Sequence, residues 1–510
     1  MYKLPKKAGL TTIPLTLLIT GAIDSIRNLP TTALFGSALI FFFIFSALVF
    51  LIPSALVSAE LSAASKDHKN GIYYWLSSAL GSHFGLLGAW LQWINTMVWF
   101  PTILSFLVAT ATYFINPELA QNKGFLATMI LAFYWLLTWI NLKGFHTSAK
   151  FANTCTLIGM IMPFILIIGL AMIWVVLGKP IQIQFNAQTL LPSFSHFDNW
   201  ISLTAITASF LGIELATVHV KEVHEPQTTF PKALALSVLC ILVPMILGSL
   251  AIAMVLPKDQ INLVSGVMQA FTNFLSAYHL NYLVPLITLM ILVGSIGNMT
   301  SWVISPAKSL LQAAHDGYLP PALTQLNENQ VASKLLITQA LIVSLVCLAF
   351  VLMPSVNGSY WLLTALSTQL YVLMYVLMFI AALVLKFKNQ TANKIIPGGK
   401  LGLVLVCLLG FVGCGITLLI GFIPPESLNI GSMLRYELIF SLGLITMISP
   451  VSLLYLYKKN QNSCHPSHKC SEHKALPPNA LVGGGIQFSG FPLEACGNDN
   501  RDFQQQSPYL

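Results

Sequence analysis

The sequence predicts an all-α membrane protein that crosses the bilayer about twelve times. Three observations predict this fold class: 56% of the residues are hydrophobic, only 8% are charged, and long apolar runs recur along the chain with short loops between them. Soluble domains are roughly one quarter charged, so lipid solvates most of this chain. A β-barrel is excluded, because barrel strands alternate in polarity over about ten residues, whereas a run such as 236–255 is apolar all round.

Each predicted span is an apolar stretch of about 20 residues, long enough to cross the hydrocarbon core as a helix. The twelve predicted spans cover residues 11–34, 36–62, 73–114, 125–142, 153–178, 200–219, 232–256, 281–312, 334–353, 360–386, 401–424 and 436–457. The first ten form two successive five-helix sets, at about 11–178 and 200–386, and two extra helices follow at about 401–457. We therefore expect a membrane domain over 1–457 and a polar, disordered tail over 458–510.

The positive charges predict the orientation of the chain. The formal net charge is +8, from 25 Lys and Arg residues against 17 Asp and Glu residues. With a cytoplasmic N-terminus, 20 of the 25 positive residues fall inside, Arg27 lies within a predicted span, and only Lys123, Lys179, Lys258 and Arg435 fall outside. Cytoplasmic loops carry an excess of Lys and Arg, so we expect both termini in the cytoplasm. The charge thus reflects topology and predicts no nucleic-acid partner.

Two of the predicted helices contain polar or glycine-containing interruptions. The first helix includes 21–30, which reads Gly-Ala-Ile-Asp-Ser-Ile-Arg-Asn-Leu-Pro, and the sixth includes 209–214, which reads Ser-Phe-Leu-Gly-Ile-Glu. Paired breaks near the midplane expose backbone amides, which attract a carboxylate, and carbonyls, which accept an ammonium. They therefore suit a zwitterion such as an amino acid. The alternative, that Gly21 and Gly212 only allow close helix packing, leaves the neighbouring charged residues unexplained.

Four strongly charged residues lie well inside predicted spans: Asp24, Arg27, Glu60 and Glu214. Each costs about 2.5 to 3.5 kcal/mol there, which makes it a functional candidate. Asp24 and Arg27 share a face if their segment is helical and then form an internal salt bridge; alternatively, one of them faces the pathway. Glu60 is expected to snorkel or to pair with a loop. Glu214 is the better candidate for a gate or a proton site, because a buried carboxylate can carry a proton.

Several other function classes lack their signatures in this sequence. There is no phosphate-binding glycine loop and no HExxH metal pair, so an ATP-driven pump is disfavoured. No clustered catalytic set is evident, and we expect no enzyme activity and no cofactor. The Cys and His residues of the tail fit no closed four-ligand zinc spacing, so we expect no metal site; they are Cys464, His465, His468, Cys470 and His473.

The run 251–257, Ala-Ile-Ala-Met-Val-Leu-Pro, together with 261–271 closely resembles helix 7 and the following loop of the bacterial glutamate/γ-aminobutyrate antiporters. These antiporters belong to the amino acid–polyamine–organocation superfamily. Further short sequence motifs match in the same order, at 53–60, 212–222, 301–306, 396–400 and 422–425. Because the matches are collinear over roughly 10–457, they are far more specific than one short motif.

The resemblance implies a LeuT-like fold, with a 5+5 inverted repeat plus two extra helices. It also implies an amino acid antiporter or a proton-coupled permease in the bacterial inner membrane. In relatives, the broken first helix holds the substrate carboxylate and the broken sixth helix holds the amino group. The substrate-binding residues implied by position are Thr20, Gly21, Ala22, Ile23, Ser25, Ser209, Phe210, Leu211, Gly212, Asn298 and Met299. Gating or proton coupling is assigned to Glu214, Asp24 and Arg27.

This chain departs from the antiporters at two places that bear on the substrate. The antiporters carry a segment rich in Tyr and Glu where this chain has 25–30, and an acidic residue where this chain has Asn298. Which amino acid is carried therefore stays open, as do a role of the tail as a cytoplasmic plug and a homo-oligomeric state. The expected partners are amino acids, protons and the lipid bilayer. An amino-acid-binding membrane sensor without net transport is the alternative function.

Overall fold

The computed structural model describes residues 11–23, 25–65, 70–144, 154–155, 157–191, 200–217, 223, 225–329, 331–388 and 395–463. Within these ranges, every element of regular secondary structure is a helix. The α-helices before residue 200 are α1 (Thr12–Ile23), α2 (Leu29–Ala33), α3 (Leu39–Ser46), α4 (Ile52–Ala64), α5 (Ile72–Leu80), α6 (Ser82–Ala111), α7 (Lys123–Leu142), α8 (Met162–Val176) and α9 (Ala187–Leu190). Two π-helical turns, Ala47–Leu51 and Leu157–Ile161, lead into α4 and α8.

The second half of the chain is also helical where it is described. Its α-helices are α10 (Ser202–Phe210), α11 (Ile213–Thr217), α12 (Pro226–Val255), α13 (Gly266–Ala277), α14 (Val284–Gln312), α15 (Pro321–Thr324), α16 (Ser333–Val346), α17 (Ala349–Leu352), α18 (Val356–Phe387), α19 (Gly399–Ile420), α20 (Met433–Ile448) and α21 (Pro450–Ser463). The all-α class predicted from composition is therefore confirmed for the described residues.

Nine stretches in the described part of the chain are long and apolar enough to cross a membrane. They are Gly36–Ala64, Ser82–Phe114, Lys123–Leu142, Leu157–Val176, Gln227–Val255, Ser333–Leu352, Val356–Phe387, Gly399–Ile420 and Met433–Gln461. The other three predicted spans coincide with shorter apolar helical stretches, Thr12–Ile23, Ser202–Leu215 and Asn281–Ile296. The total of twelve crossings and the 5+5 repeat stay predictions.

Apolar side chains cover the outside of the bundle as well as its core. On α12, large aliphatic residues spaced by three and four positions stand 41–59% exposed on one face: Leu236, Leu239, Val243 and Leu247. Such a stripe is unfavourable in water and favourable in lipid. The centre of the bundle is formed by α6 and α18, of 30 and 32 residues, which pack against each other.

The predicted span at 73–114 is wrong as a single helix. The chain turns at Gly81, whose φ of +98° lies in the left-handed region that favours glycine, and α5 folds back onto α6. Glycine permits this close approach, since a Cβ on Gly85 would lie 1.9 Å from the hydroxyl of Ser77 and one on Gly88 would lie 2.1 Å from Leu76. Of these two helices, only α6 is long and apolar enough to span a membrane.

The structure also tests two predictions near the ends of helices, one for Glu60 and one for the C-terminal tail. Glu60, in α4, is only 2% exposed, and its Oε2 accepts hydrogen bonds from the backbone amides of Ile395 (2.8 Å) and Ile396 (3.2 Å). The predicted pairing with a loop is confirmed, and snorkelling is wrong because the loop encloses the carboxylate. At the C-terminus, α21 continues to Ser463 rather than ending before 458, and 464–510 lie outside the described residues.

One helix crossing is close enough to require glycine on both sides. The π-helical turn before α8 meets α14 so tightly that a Cβ on Gly159 would lie 2.1 Å from the Cα of Gly294. Small residues allow such close backbone approach in membranes, where packing rather than the hydrophobic effect holds helices together.

We therefore predict that Gly159→Ala lowers the stability of the protein, by about 1–3 kcal/mol as is typical of overpacking. Thermal unfolding in detergent measures the effect. Gly169→Ala is the matched control, because no atom lies within 4 Å of a Cβ built there. Equal melting temperatures for the two variants would contradict the proposed crossing.

Candidate functional site

The first membrane helix is interrupted within the predicted segment 21–30, with the helix continuing through the first three residues of that segment. α1 continues through Ile23, so Gly21, Ala22 and Ile23 lie in its last turn. The described chain resumes at Ser25, which is extended (φ −150°, ψ 117°), and a 3-10 turn at Ile26–Asn28 leads into α2. Asp24 lies outside the described residues, as do the side chains of Gly21 to Ile23.

Extended backbone at Ser25 bears on the predicted pairing of the neighbouring charges. The predicted salt bridge between Asp24 and Arg27 required both residues to lie on one helical turn. Ser25, which lies between them in the chain, is extended rather than helical. A salt bridge through a shared helical turn therefore has no support at Ser25, and the pairing itself stays a prediction.

The sixth membrane helix is interrupted where predicted. α10 ends at Phe210, Leu211 is extended (φ −66°, ψ 144°), and α11 begins at Ile213. Gly212 has a φ of +99°, which a side chain would strain. Of the predicted residues, Ser209 and Phe210 are buried in the last turn of α10, and the Ser209 hydroxyl donates to the carbonyl of Ala205 at 3.0 Å.

The two interrupted helices are neighbours, because α1 packs against α11. Close to the first interruption, Thr20 Oγ1 is buried without a hydrogen-bond partner in the described part of the chain. Ser25 and Asn28 on the far side of the interruption are half-buried, as is Leu211 at the second. The other two predicted substrate contacts, Asn298 and Met299, lie within α14, and their side chains are outside the described residues.

One face of α6 carries buried polar side chains toward both interruptions. Gln92, Asn95, Trp99 and Thr102 are spaced by three or four residues, so they share a face. Asn95 pairs with Ser367 on α18, Gln92 contacts Glu214, and Trp99 and Thr102 contact Arg27. We call these four residues the polar face of α6.

Glu214, in α11, is 3% exposed and accepts hydrogen bonds on both carboxylate oxygens. Its Oε1 accepts from Gln92 Nε2 at 2.9 Å and from the Tyr371 hydroxyl at 2.6 Å, and its Oε2 accepts from the Tyr375 hydroxyl. The Tyr375 oxygen in turn accepts from the backbone amide of Gly212 at 3.1 Å. The interruption and the carboxylate are therefore linked through one hydroxyl. All three donors to Glu214 seen among the described residues are neutral.

Arg27 lies in the 3-10 turn of the first interruption and is 7% exposed. Its Nη1 donates to Thr102 Oγ1 at 2.7 Å, and its guanidinium carbon lies 5.2 Å from the centre of the Trp99 ring. Its Nε is buried and has no hydrogen-bond partner in the described ranges.

Glu214 and Arg27 do not neutralise each other by contact. Their partners Gln92 and Thr102 are ten residues apart on α6, which corresponds to about 15 Å along a helix. At an effective dielectric constant near 20, unit charges separated by about 15 Å attract by only about 1 kcal/mol. Each charge therefore depends on its own surroundings.

Sequence reasoning found Glu214 and Arg27 but missed their partners, which are Gln92, Thr102, Tyr371 and Tyr375. The spacing of Gln92, Asn95 and Thr102 on one face of an otherwise apolar span was a detectable signal. The local sequence did not identify Tyr371 and Tyr375 as site residues, because two tyrosines four residues apart on a helix are just as common in a hydrophobic core.

A separate cavity of about 320 Å³ opens between the turn after α2, the segment around α9 and the end of α12. Its polar lining includes Ser37, Gln184, Thr189 and Lys258. None of the predicted substrate residues lines it.

Comparisons with known proteins agree with this architecture. The sequence profile of the family described as amino acid permease matches residues 10–448. An uncharacterized transporter of Legionella pneumophila is 36% identical over 91% of this chain and 99% of its own length. A glutamate/γ-aminobutyrate antiporter of Lactococcus lactis is 28% identical over 87% of this chain and 89% of its own length. A probable agmatine/putrescine antiporter of the same species is 22% identical over 67% of this chain and 72% of its own length.

The resemblance found in the sequence is thereby confirmed. A profile match over 10–448 covers most of the 510 residues and includes both interrupted helices and the polar face of α6. The chain therefore belongs to the amino acid permease family and is a multi-pass membrane transporter of amino acids.

Proposed function

We propose that this chain is an amino acid antiporter that works by alternating access around a site between its two interrupted helices. The observation that carries the proposal is the adjacency of the two interruptions, at Ser25 and at Leu211–Gly212, in helices that pack together. Ends of helix segments at the midplane suit a zwitterion, since their dipoles favour a carboxylate at one end and an ammonium at the other. Relatives named antiporters favour exchange over proton-coupled uptake.

The proposed substrate contacts are the backbone and small side chains at the interruptions. In the first helix these are Thr20, Gly21, Ala22, Ile23 and Ser25. In the sixth and eighth helices they are Ser209, Phe210, Leu211, Gly212, Asn298 and Met299. The Thr20 hydroxyl is buried and has no partner among the described residues, which supports this placement, because a buried donor without a partner costs about 1–3 kcal/mol unless a ligand satisfies it.

We assign gating or proton coupling to Glu214, together with Asp24 and Arg27. For Glu214 the support is its burial next to the second interruption and its link to Gly212 through Tyr375. A carboxylate held by neutral donors can bind a proton without breaking an ion pair. A change in its charge also changes the hydrogen bonding of the hydroxyl that holds the interruption.

The proposed location is the bacterial inner membrane, with both termini in the cytoplasm. Supporting this orientation, 20 of the 25 Lys and Arg residues fall on one side of the predicted topology. Excess positive charge marks the cytoplasmic side.

We predict obligatory exchange in proteoliposomes. Vesicles preloaded with an unlabelled amino acid should accumulate a labelled one, whereas empty vesicles should not, because an antiporter returns only with cargo. The measurement is counterflow across a panel of the 20 common amino acids.

Two outcomes would contradict exchange. Equal uptake by empty and loaded vesicles would indicate uniport or proton symport. A ligand-dependent rise in melting temperature without any flux would indicate a sensor instead of a transporter.

We predict that Glu214→Gln removes or flattens the pH dependence of exchange and slows it by roughly tenfold or more, since a hydrogen bond to a charged group contributes about 1.5–3 kcal/mol. The amide has nearly the same size, so insertion and folding should be retained. Initial exchange rates from acidic to neutral pH measure the effect.

Glu118→Gln is the control, because it removes an exposed carboxylate from the turn before α7. The assigned role of Glu214 fails if the Glu214→Gln protein shows wild-type exchange at every pH.

A further inference from the structure

A guanidinium group without an anionic partner in the described part of the chain lies in the first interruption. Arg27 is 7% exposed, and its two observed contacts, with Thr102 and Trp99, are both neutral. Its Nε is buried and unpartnered among the described residues. A cation in this position is costly unless an anion or water compensates it.

The contacts of Arg27 hold the guanidinium in one orientation. Thr102 fixes Nη1 at 2.7 Å, and the Trp99 ring lies 5.2 Å from the guanidinium carbon. A planar fork fixed in this way is prepared to bind a carboxylate through two parallel hydrogen bonds. A neutral amide cannot replace that carboxylate, because it offers one acceptor oxygen and turns a donor toward the cation.

Neither Glu214 nor Asp24 is seen to pair with the Arg27 guanidinium. Glu214 has three donors of its own, and its partner Gln92 lies ten residues along α6 from Thr102, the partner of Arg27. Asp24 lies outside the described residues, and Ser25, which lies between it and Arg27 in the chain, is extended rather than helical.

We propose that Arg27 is a specificity-determining residue that binds a second carboxylate of the substrate, so that the chain selects amino acids with an acidic side chain over their amides. The inference rests on the proposed function, in which the interruptions bind the α-carboxylate and the α-amino group. Ser25 and Asn28, close to Arg27 in the chain, are half-buried rather than fully enclosed.

Competition in the counterflow assay tests the inference. Unlabelled glutamate is compared with glutamine, and aspartate with asparagine, as inhibitors of exchange by the wild type and by Arg27→Gln. The wild type should prefer the acidic member of each pair. In Arg27→Gln that preference should fall by roughly 10- to 100-fold, as expected for loss of a charged hydrogen bond, and Arg27→Lys should be intermediate because it keeps the charge but not the fork.

Arg435→Gln is the matched control. Arg435 is exposed at the start of α20 and donates to the carbonyl of Leu352 at 2.7 Å, far along the chain from either interruption. Its substitution should leave the acid-to-amide preference unchanged. An unchanged preference in Arg27→Gln would overturn the inference.

Two additional variants separate specificity from structural roles. If Arg27 only neutralises Asp24, the double variant Asp24→Asn with Arg27→Gln recovers the wild-type preference, which would overturn the inference. If Arg27→Gln does not fold, Thr102→Val takes its place, because it removes the hydrogen bond that holds the guanidinium. It should reduce the acid-to-amide preference by roughly threefold or more. An unchanged preference in Thr102→Val would then overturn the inference.

The failure of this inference is distinguishable from the failure of the proposed function. Counterflow of amino acids with no acid-to-amide preference contradicts only the role of Arg27. Absence of counterflow with every amino acid of the panel contradicts the exchange function itself.

Discussion

A polar group inside the hydrocarbon of a bilayer finds partners only within the protein or its ligands, and the polar face of α6 supplies them around both helix interruptions. Gln92 reaches Glu214 on the sixth membrane helix, and Thr102 with Trp99 reaches Arg27 on the first. Asn95 fixes the same face to α18 through Ser367. The position of each interruption therefore depends on contacts with one central helix, α6.

The backbone of the second interruption is linked to the carboxylate of Glu214 by hydrogen bonds, whereas no such link to the backbone is seen for Arg27 among the described residues of the first interruption. The Gly212 amide donates to the Tyr375 hydroxyl, which donates to Glu214. Any rotation of α11 relative to α18 must break or re-form this chain of hydrogen bonds. A switch built in this way responds to two inputs, the charge on the carboxylate and the occupancy of the neighbouring backbone, and our proposal for exchange uses both.

Much of this arrangement could be predicted from the sequence, and the exceptions have physical causes. Hydropathy located the spans because burial in lipid demands long apolar runs, and Gly212 marked the second interruption because its φ of +99° requires glycine. Hydropathy also predicted α5 and α6 as a single span, because a turn at Gly81 within an apolar stretch does not change the mean hydropathy. The predicted segment 21–30 contains the first interruption, but Gly21 to Ile23 are still helical, because small and apolar residues are as compatible with a helix end as with a break.

Local sequence patterns could not identify the tyrosine partners of Glu214 or the loop that pairs with Glu60. Tyr371 and Tyr375 are more than 150 residues from Glu214 in the chain, and only tertiary packing brings their hydroxyls to it. For Glu60, the sequence allowed either an exposed or an enclosed carboxylate, and the loop that encloses it comes from 335 residues away.

The central claim is that the transported amino acid binds between the two interruptions. A cryo-electron microscopy structure in lipid nanodiscs, with the best counterflow substrate bound, tests it most directly. The account predicts ligand density between Ser25–Asn28 and Leu211–Gly212, beside Arg27. Ligand density confined to the separate cavity beside Ser37, Gln184 and Lys258 would contradict it.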